Sequence, residues 1–347
     1  MSPDWPVLLQ VTGASGFVGS HVVSELLRGG YTVRGAVRSR NVARVNKSYE
    51  SFGDKFSVTV IDDLVTSDLS DAVKGVDAII HVASALPNAN PDVVLDAAVA
   101  GTTRILDAAL AAGIKKLVIT ESGVSLAPAG DFWKDITITE NSYTTQTRED
   151  AHKQGVSEFE VYAISKSLSD RAVRDFKRAH PDFDVASIHP SYIYGPIGLG
   201  QVYDKPATGT NLLVYGLISG APGRPVSGYD PASGVPALLS VDVRDVARAH
   251  VLALKLPPSE TQKRFTLSTN TFTWKEAIEL LAEKRPELKG RLPVITGKEP
   301  PVGPIATLDT SNTQNVLGLK NPVKWQDTVL DTIDDQLRLE KELGVAA

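Results

Sequence analysis

Val11-Thr12-Gly13-Ala14-Ser15-Gly16-Phe17-Val18-Gly19 places three glycines at intervals of three residues, after an apolar run and before an amphipathic one. The run Val7–Thr12 reads as a strand, and Phe17–Leu27 as a helix that stops at Gly29-Gly30. A strand turning straight into a helix needs a residue free to bend sharply, and Gly13 meets that need. Gly16 leaves room for a phosphate group to approach the main chain, and Gly19 lets the helix sit close on the strand. The helix start carries unpaired N–H groups and a partial positive charge, so this turn is a candidate pyrophosphate site. The residues assigned to it are Gly13, Ser15, Gly16, Phe17, Val18 and Gly19.

The alternation continues outward from this turn. Thr32–Val37, Ser57–Ile61, Ala78–Val82, Leu117–Thr120 and Val185–His189 are short apolar runs of the kind buried on both faces of a parallel sheet. Pro91–Ala112 and Ser157–Ala179 read as helices, closed by Gly113 and by His180-Pro181. The expected fold class is therefore α/β, built of βαβ units around a parallel sheet. Two regions break the rhythm. The connection from Ser122 to Gly155 is too long for a plain strand-to-helix loop and is expected to be functional. From Ser191 to Pro236 the chain turns rich in Gly, Pro, Tyr and Ser. Later helices are expected at Val243–Lys255, Lys275–Lys284 and Asp327–Leu343. The expected division is a nucleotide-binding core over residues 1–190 and a smaller lobe over 191–347, with some lobe segments returning to the core.

Composition narrows the function. The 347 residues carry 36 Lys+Arg against 41 Asp+Glu, a formal net charge of −5, and no cysteine. Disulfides, thiolate metal sites, iron–sulfur clusters and cysteine nucleophiles are excluded. The acidic balance argues against nucleic acid, and no basic block suits an anionic membrane. No apolar run is long enough to span a bilayer. Too few residues precede the first apolar run for a secretory signal, so a cytoplasmic location is expected. The histidines show no metal-binding spacing, and there is no nucleophile elbow or Walker loop, so no metal site is expected.

Two further motifs stand in order behind the glycine turn: Tyr162-Ala163-Ile164-Ser165-Lys166, and Thr120-Glu121-Ser122 at a strand's end. Together with the GxxGxxG spacing they resemble the extended short-chain dehydrogenase/reductase family. His189-Pro190-Ser191-Tyr192-Ile193-Tyr194-Gly195-Pro196 and Val241-Asp242-Val243-Arg244-Asp245-Val246-Ala247 extend the resemblance over nearly the whole chain. The branch resembled is that of dihydroflavonol reductases, cinnamoyl-CoA reductases and yeast-type methylglyoxal (carbonyl) reductases. It implies a Rossmann-type doubly wound parallel sheet with a smaller C-terminal substrate-binding lobe. It also implies NADPH as cofactor, a small-molecule carbonyl substrate, and Ser122, Tyr162 and Lys166 as catalytic residues. Three departures are visible. Glu121 stands where relatives commonly have Ser or Thr, and strand alternation aims its side chain away from Ser122. His189 stands where many relatives carry Asn or Leu; it reads as a structural histidine, with a substrate contact as the alternative. Glu158-Phe159-Glu160-Val161 lacks the Asn-Trp-Tyr-Cys motif of cinnamoyl-CoA reductases, which argues against that substrate.

The chemistry follows from the residue types. Tyr162 and Lys166, four apart on a helix, share a face. An ammonium about 4 Å from a phenol contributes roughly 4 kcal/mol at an effective dielectric near 20. That is worth about three pKa units, enough to bring the phenol towards working range. Lys166 has a second role open to it, binding the nicotinamide ribose, and Ser122 would stabilise the substrate oxygen as charge develops. Arg38, nineteen residues after Gly19, offers fork-shaped donors to a 2′-phosphate where an acidic residue would select NAD. Asp62 is assigned to the adenine amino group, with a solvated turn residue as the alternative for Asp62-Asp63. Val82, Ala83 and Ser84 are assigned to the adenine ribose, and Pro190 to the cofactor side of the cleft. The stripe Trp325, Val329, Ile333, Leu337 reads as core packing, with a dimer seam as the alternative; monomer and homodimer both stay open. The leading reading is NADPH-dependent reduction of an aldehyde or ketone. Its rivals are an NAD-dependent sugar-nucleotide epimerase or dehydratase, and a non-catalytic NADP-sensing regulator.

Overall fold

The computed structural model describes residues 8–84, 90–226, 238–297 and 303–345. Strand β1 (Leu8–Thr12) runs through the glycine turn into α1 (Phe17–Arg28), followed by β2 (Thr32–Val37), α2 (Val42–Ser48) and β3 (Phe56–Val60). Next come α3 (Ser70–Val73), β4 (Ala78–His81), α4 (Pro91–Ala111) and β5 (Lys116–Thr120). The long connection holds β6 (Thr137–Ile138) and leads to α5 (Glu158–Ala179), β7 (Asp184–Pro190) and β8 (Tyr192–Tyr194). The remainder comprises α6 (Asn211–Ser219), β9 (Leu239–Asp242), α7 (Val243–Lys255), β10 (Lys263–Leu267) and β11 (Asn270–Thr271). It ends with α8 (Trp274–Lys284), β12 (Thr307–Leu308), α9 (Ser311–Asn315) and α10 (Trp325–Leu343).

Seven parallel strands form the central sheet in the order β3-β2-β1-β4-β5-β7-β10. This is a Rossmann-type α/β fold, and strand order reverses between β1 and β4, where a crevice opens at the strands' carboxyl ends. Alternation along each strand feeds two cores. Val11, Ile80, Val118 and Ile188 pack with Val22, Leu26, Val246 and Ala249 of α1 and α7. Ile79, Leu117, Ile119 and Val185 pack with Ile105, Leu106 and Val173 of α4 and α5. Burial on both faces is why β1, β4, β5 and β7 read as apolar runs, whereas β3, expected to be buried in the same way, is an edge strand with no buried residue and Ser57 and Val60 exposed. Helix α5 starts on a reciprocal cap, with Ser157 accepting from Glu160 N–H and Glu160 accepting from Ser157 N–H.

The sequence reading named six of these strands. The seventh, β10, opens with Lys263 and Arg264, a pattern that does not look like a buried strand. Its charges are matched from elsewhere: Lys263 pairs with Asp184 at 2.6 Å, and Arg264 with Asp170 at 2.9 Å. Three strand carboxyl ends also differ by a residue: β3 closes at Val60 and β4 at His81, leaving Val82 beyond the strand, while β7 runs on to Pro190.

The rest of the chain forms a second core beneath the three-stranded sheet β11-β9-β8. Tyr194, Leu217, Trp274, Leu281, Val329 and Ile333 fill it, with Trp325 and Leu337 packed against it. The stripe on α10 is thus core packing within the chain. Strand β12 pairs with β6, tying the long connection to residues from near the C-terminal end. No described helix is long and apolar enough to cross a membrane.

Candidate active site

The glycine turn is shaped by what glycine lacks. Gly13 sits at φ +68°, and a Cβ on Gly19 would come within 2.1 Å of the Gly13 carbonyl oxygen. Any side chain at Gly19 would therefore push α1 off the turn. Gly16 is exposed at the N-terminus of α1, with Phe17 and Val18 half-buried behind it. Bare main chain at a helix start is the cradle that a phosphate fits. The Ser15 hydroxyl accepts from Asn41 Nδ2 at 3.1 Å, and the Ser15 carbonyl from Val202 N–H at 3.0 Å.

Thr12 clamps this turn to the end of β4. Its hydroxyl accepts from the N–H groups of Val82 (3.1 Å) and Ala83 (3.2 Å) and lies 2.8 Å from His81 Nδ1. Burial pulls the His81 imidazole down to about 3, so it is neutral at working pH and serves as Thr12's acceptor. Ala83 lies against Gly13, and Ser84 reaches the exposed rim. At the end of β2, Arg38 is exposed and Asp62 Oδ1 accepts from Ser39 N–H at 2.8 Å. Hydrogen bonds from Ser39, with smaller help from Arg38 and Arg40, hold the Asp62 carboxyl below its usual range. Asp63 instead accepts from Val65 N–H at 2.6 Å, as a turn residue.

Ser122 lies two residues beyond the end of β5, and its Oγ accepts from Val124 N–H at 3.4 Å, starting a short turn over Gly123–Ser125. A Cβ on Gly123 would sit 3.3 Å from the Pro190 carbonyl, so Pro190 backs the turn that carries Ser122. Tyr162 and Lys166 lie one helical turn apart on α5, as their spacing predicts. Lys166 is only 6% exposed, and its ammonium donates to the Thr120 carbonyl at 3.4 Å. The Tyr162 ring is half-buried beside Phe159, in an apolar cluster with Val124, Ala163, Leu239 and Leu308. This cluster joins the turn after β5 and helix α5 to the second lobe. Lys166 also shares a recess with His81, Ala83, Thr102, Thr120 and Ser169, which links α5 to the segment after β4.

Beneath Lys166 lies a buried polar bed that the sequence did not announce. Glu121 is 2% exposed, and its Oε1 accepts from the Ser169 hydroxyl, which lies 2.9 Å from the Thr102 hydroxyl. Asp170 accepts from Arg264 (2.9 Å) and Arg174 (3.3 Å). His189 is fully buried, with Nδ1 3.0 Å from Ser125 Oγ and Nε2 3.8 Å from Asp170 Oδ1. It is a structural histidine, and burial holds it well below the usual imidazole range. Burial also pushes the Asp170 carboxyl up, against the pull of Arg264 and Arg174. One signal for this bed was available: Asp170 follows Lys166 by four residues and so shares its face of α5.

Comparison with known proteins completes this picture. The model of the NAD dependent epimerase/dehydratase family matches residues 9–267. The NADPH-dependent methylglyoxal reductase GRE2 of Saccharomyces cerevisiae is 29% identical, over 95% of this chain and 98% of that protein. Ketoreductase azaE of Aspergillus niger is 31% identical, over 89% and 91% of the two chains. The crystal structure of Gre2 in complex with NADPH from Candida albicans matches at a TM-score of 0.83 and 27% identity, covering 96% of this chain and 99% of that one. With the glycine turn, Ser122, Tyr162 and Lys166 in order along a sheet of this topology, the chain belongs to the NAD dependent epimerase/dehydratase family, as an extended short-chain dehydrogenase/reductase.

Proposed function

We propose that this protein reduces an aldehyde or ketone to the alcohol with NADPH, and that Tyr162 gives the proton. The observation that carries the reading is the placing of Tyr162 and Lys166 on α5 beside the turn of Ser122. When bound, NADPH supplies the hydride. Tyr162 donates its phenol proton to the substrate oxygen as negative charge develops there. Ser122 donates a hydrogen bond to the same oxygen, and the Lys166 ammonium lowers the cost of the phenolate left behind. Gly13, Ser15, Gly16, Phe17, Val18 and Gly19 hold the pyrophosphate, and Arg38 takes the 2′-phosphate. Asp62 steadies the turn of Arg38 through Ser39 and faces the adenine. Val82, Ala83 and Ser84 border the adenine ribose, while Pro190 backs the nicotinamide end. Residues 1–190 hold the dinucleotide in this reading, and residues 191–347 mainly close the substrate side.

The relatives named as methylglyoxal reductase and ketoreductase support reduction over epimerisation. So does the state of Arg224, one of two cations between residues 191 and 236. Its guanidinium donates to the carbonyls of Gly216, Ala221 and Arg291, and is spent on the lobe's own main chain. A nucleotide-sugar diphosphate would be left with Lys205 alone from that region. The test is NADPH absorbance against a panel of aldehydes, ketones, diketones and dihydroflavonols, using extensively dialysed protein. Stoichiometric NADPH loss by dinucleotide-free protein is the expected result. Tightly held NAD, with isomerisation of a UDP- or GDP-sugar and no net NADPH loss, would overturn it.

A further inference from the structure

The residue before the catalytic serine is a buried acid. Glu121 continues the alternation of β5, so its side chain lies on the face of Ile119, under α4 and α5, and not on the cleft side. Its Oε1 takes the Ser169 hydroxyl at 3.1 Å, and its Oε2 has no partner among the described residues. Ser169 follows Lys166 by three residues on α5, and the two side chains line one recess. The Lys166 ammonium donates to the carbonyl of Thr120, the peptide unit that leads into Glu121. A buried acid and a buried ammonium are thus linked through Ser169 and through the peptide between Thr120 and Glu121, with the phenol of Tyr162 one helical turn from the ammonium.

We propose that Glu121 is a positioning residue acting through Lys166, and that protonation of its carboxyl governs how strongly the ammonium acts on the Tyr162 phenol. The proposal rests on the reading of Tyr162 as proton donor. While Glu121 carries its proton, Lys166 has no buried counter-charge from it and acts on the phenol at full strength. Once Glu121 ionises, its charge opposes that of Lys166 and disfavours a phenolate nearby. Burial pushes the Glu121 carboxyl up to about 8, with Asp170 adding to the push and Lys166 and Arg264 working against it. Asp170 of α5 is also pushed up by burial but takes hydrogen bonds from two guanidiniums, and the remaining groups around this bed are fixed in charge or neutral. Arg264 of β10 and Arg174 of α5 are held by Asp170, while His189 of β7 and His81 of β4 are buried as neutral imidazoles. Glu121 is therefore the member of the bed whose charge changes near working pH.

The experiment follows the rise of alcohol oxidation by NADP⁺ with pH, the direction of reaction in which Tyr162 takes up the proton. In the native protein the rise should be drawn out, because Glu121 ionises over the same range. Glu121→Gln keeps the shape and removes the charge. Its rise should steepen to a single titration and move down by about one pH unit, the scale of an interaction of about 1.4 kcal/mol between two charges inside the protein. NADPH affinity should stay unchanged, and Glu121→Asp should restore the drawn-out profile. Should Glu121→Gln fail to fold, Ser169→Ala replaces it: losing that hydrogen bond raises the Glu121 titration and moves the rise the same way, by less. Superimposable pH profiles in native protein and in whichever variant folds, with equal NADPH affinity, would overturn the proposal and leave Glu121 a packing residue. Tyr162→Phe separates the two failures. If that variant stays active, the proton-donor reading falls; if it is inactive while the profiles superimpose, only the role of Glu121 falls.

Discussion

The glycine turn and the bed beneath Lys166 lie at strand ends of the same sheet, after β1 and after β5 with β4 between them, yet they are built in opposite ways. The turn is made of main chain, and it works because residues 13, 16 and 19 have no side chains to obstruct it. The bed is made of side chains from β5, α5, β7 and β10, brought together only by the complete sheet. A site of main chain is intolerant of added atoms and indifferent to pH. A site of buried ionisable groups tolerates little change of charge and must respond to pH.

The largest test of this contrast is Tyr162→Phe. Turnover should fall by about 10²- to 10⁴-fold with NADPH affinity retained, since the ring and its packing remain. Parallel loss of binding in a fluorescence titration would show that the two regions are not separable in this way. Gly19→Ala attacks the other side. Its Cβ meets the Gly13 carbonyl at 2.1 Å, so α1 must move. Denaturant unfolding should show a loss of about 1–3 kcal/mol, with weaker NADPH binding; native stability in this variant would mean that the turn has slack. Arg38→Ala is milder. It should weaken NADPH by about tenfold through a lost charge-assisted contact, and leave NADH as it was. Equal weakening of both dinucleotides would remove Arg38 from the 2′-phosphate.

The smallest effect is the shape of stability against pH. Burial lowers His81 to about 3 and His250 to about 4 in the folded state, from the ordinary imidazole value of 6.5. Their stabilising share is present above 6.5 and is lost as pH falls towards those values. Glu121 has the opposite sign. Its folded value is raised from 4.5 to about 8, so its share is present below 4.5 and is lost as pH rises through that window. Thermal midpoints should therefore fall on the acid side from the histidines, and Glu121→Gln should remove its part of the neutral-to-alkaline decline. Gly19→Ala should lower the whole curve without reshaping it, and a variant curve of altered shape would contradict the contrast.

What was legible in the sequence follows the same division. The glycine turn is local, so its residues are adjacent in the chain and their spacing carries the geometry. Tyr162 and Lys166 are legible because a helix converts a spacing of four into a shared face. Glu121 stood out as an acid at a strand end, and alternation placed its side chain correctly away from Ser122. Its neighbours were hidden, because Asp170, His189 and Arg264 meet through three elements with no common period. Strand β10 was missed for the same reason: its charges look exposed until Asp170 and Asp184 are placed opposite them.

The late position of β10 bears on how the chain emerges from the ribosome. Strand β7 is buried along its whole length, but its outer neighbour is not synthesised until residue 267. At elongation rates of 5–20 residues per second that gap lasts roughly 4 to 15 s. During it, the strand from Asp184 to Pro190 has an open edge of unpaired main-chain groups, the kind of surface that recruits strands from other molecules. Lys116 already holds Asp184 at 2.7 Å and sets a charge at the start of that edge, which discourages intermolecular pairing until Lys263 and Arg264 arrive to close it.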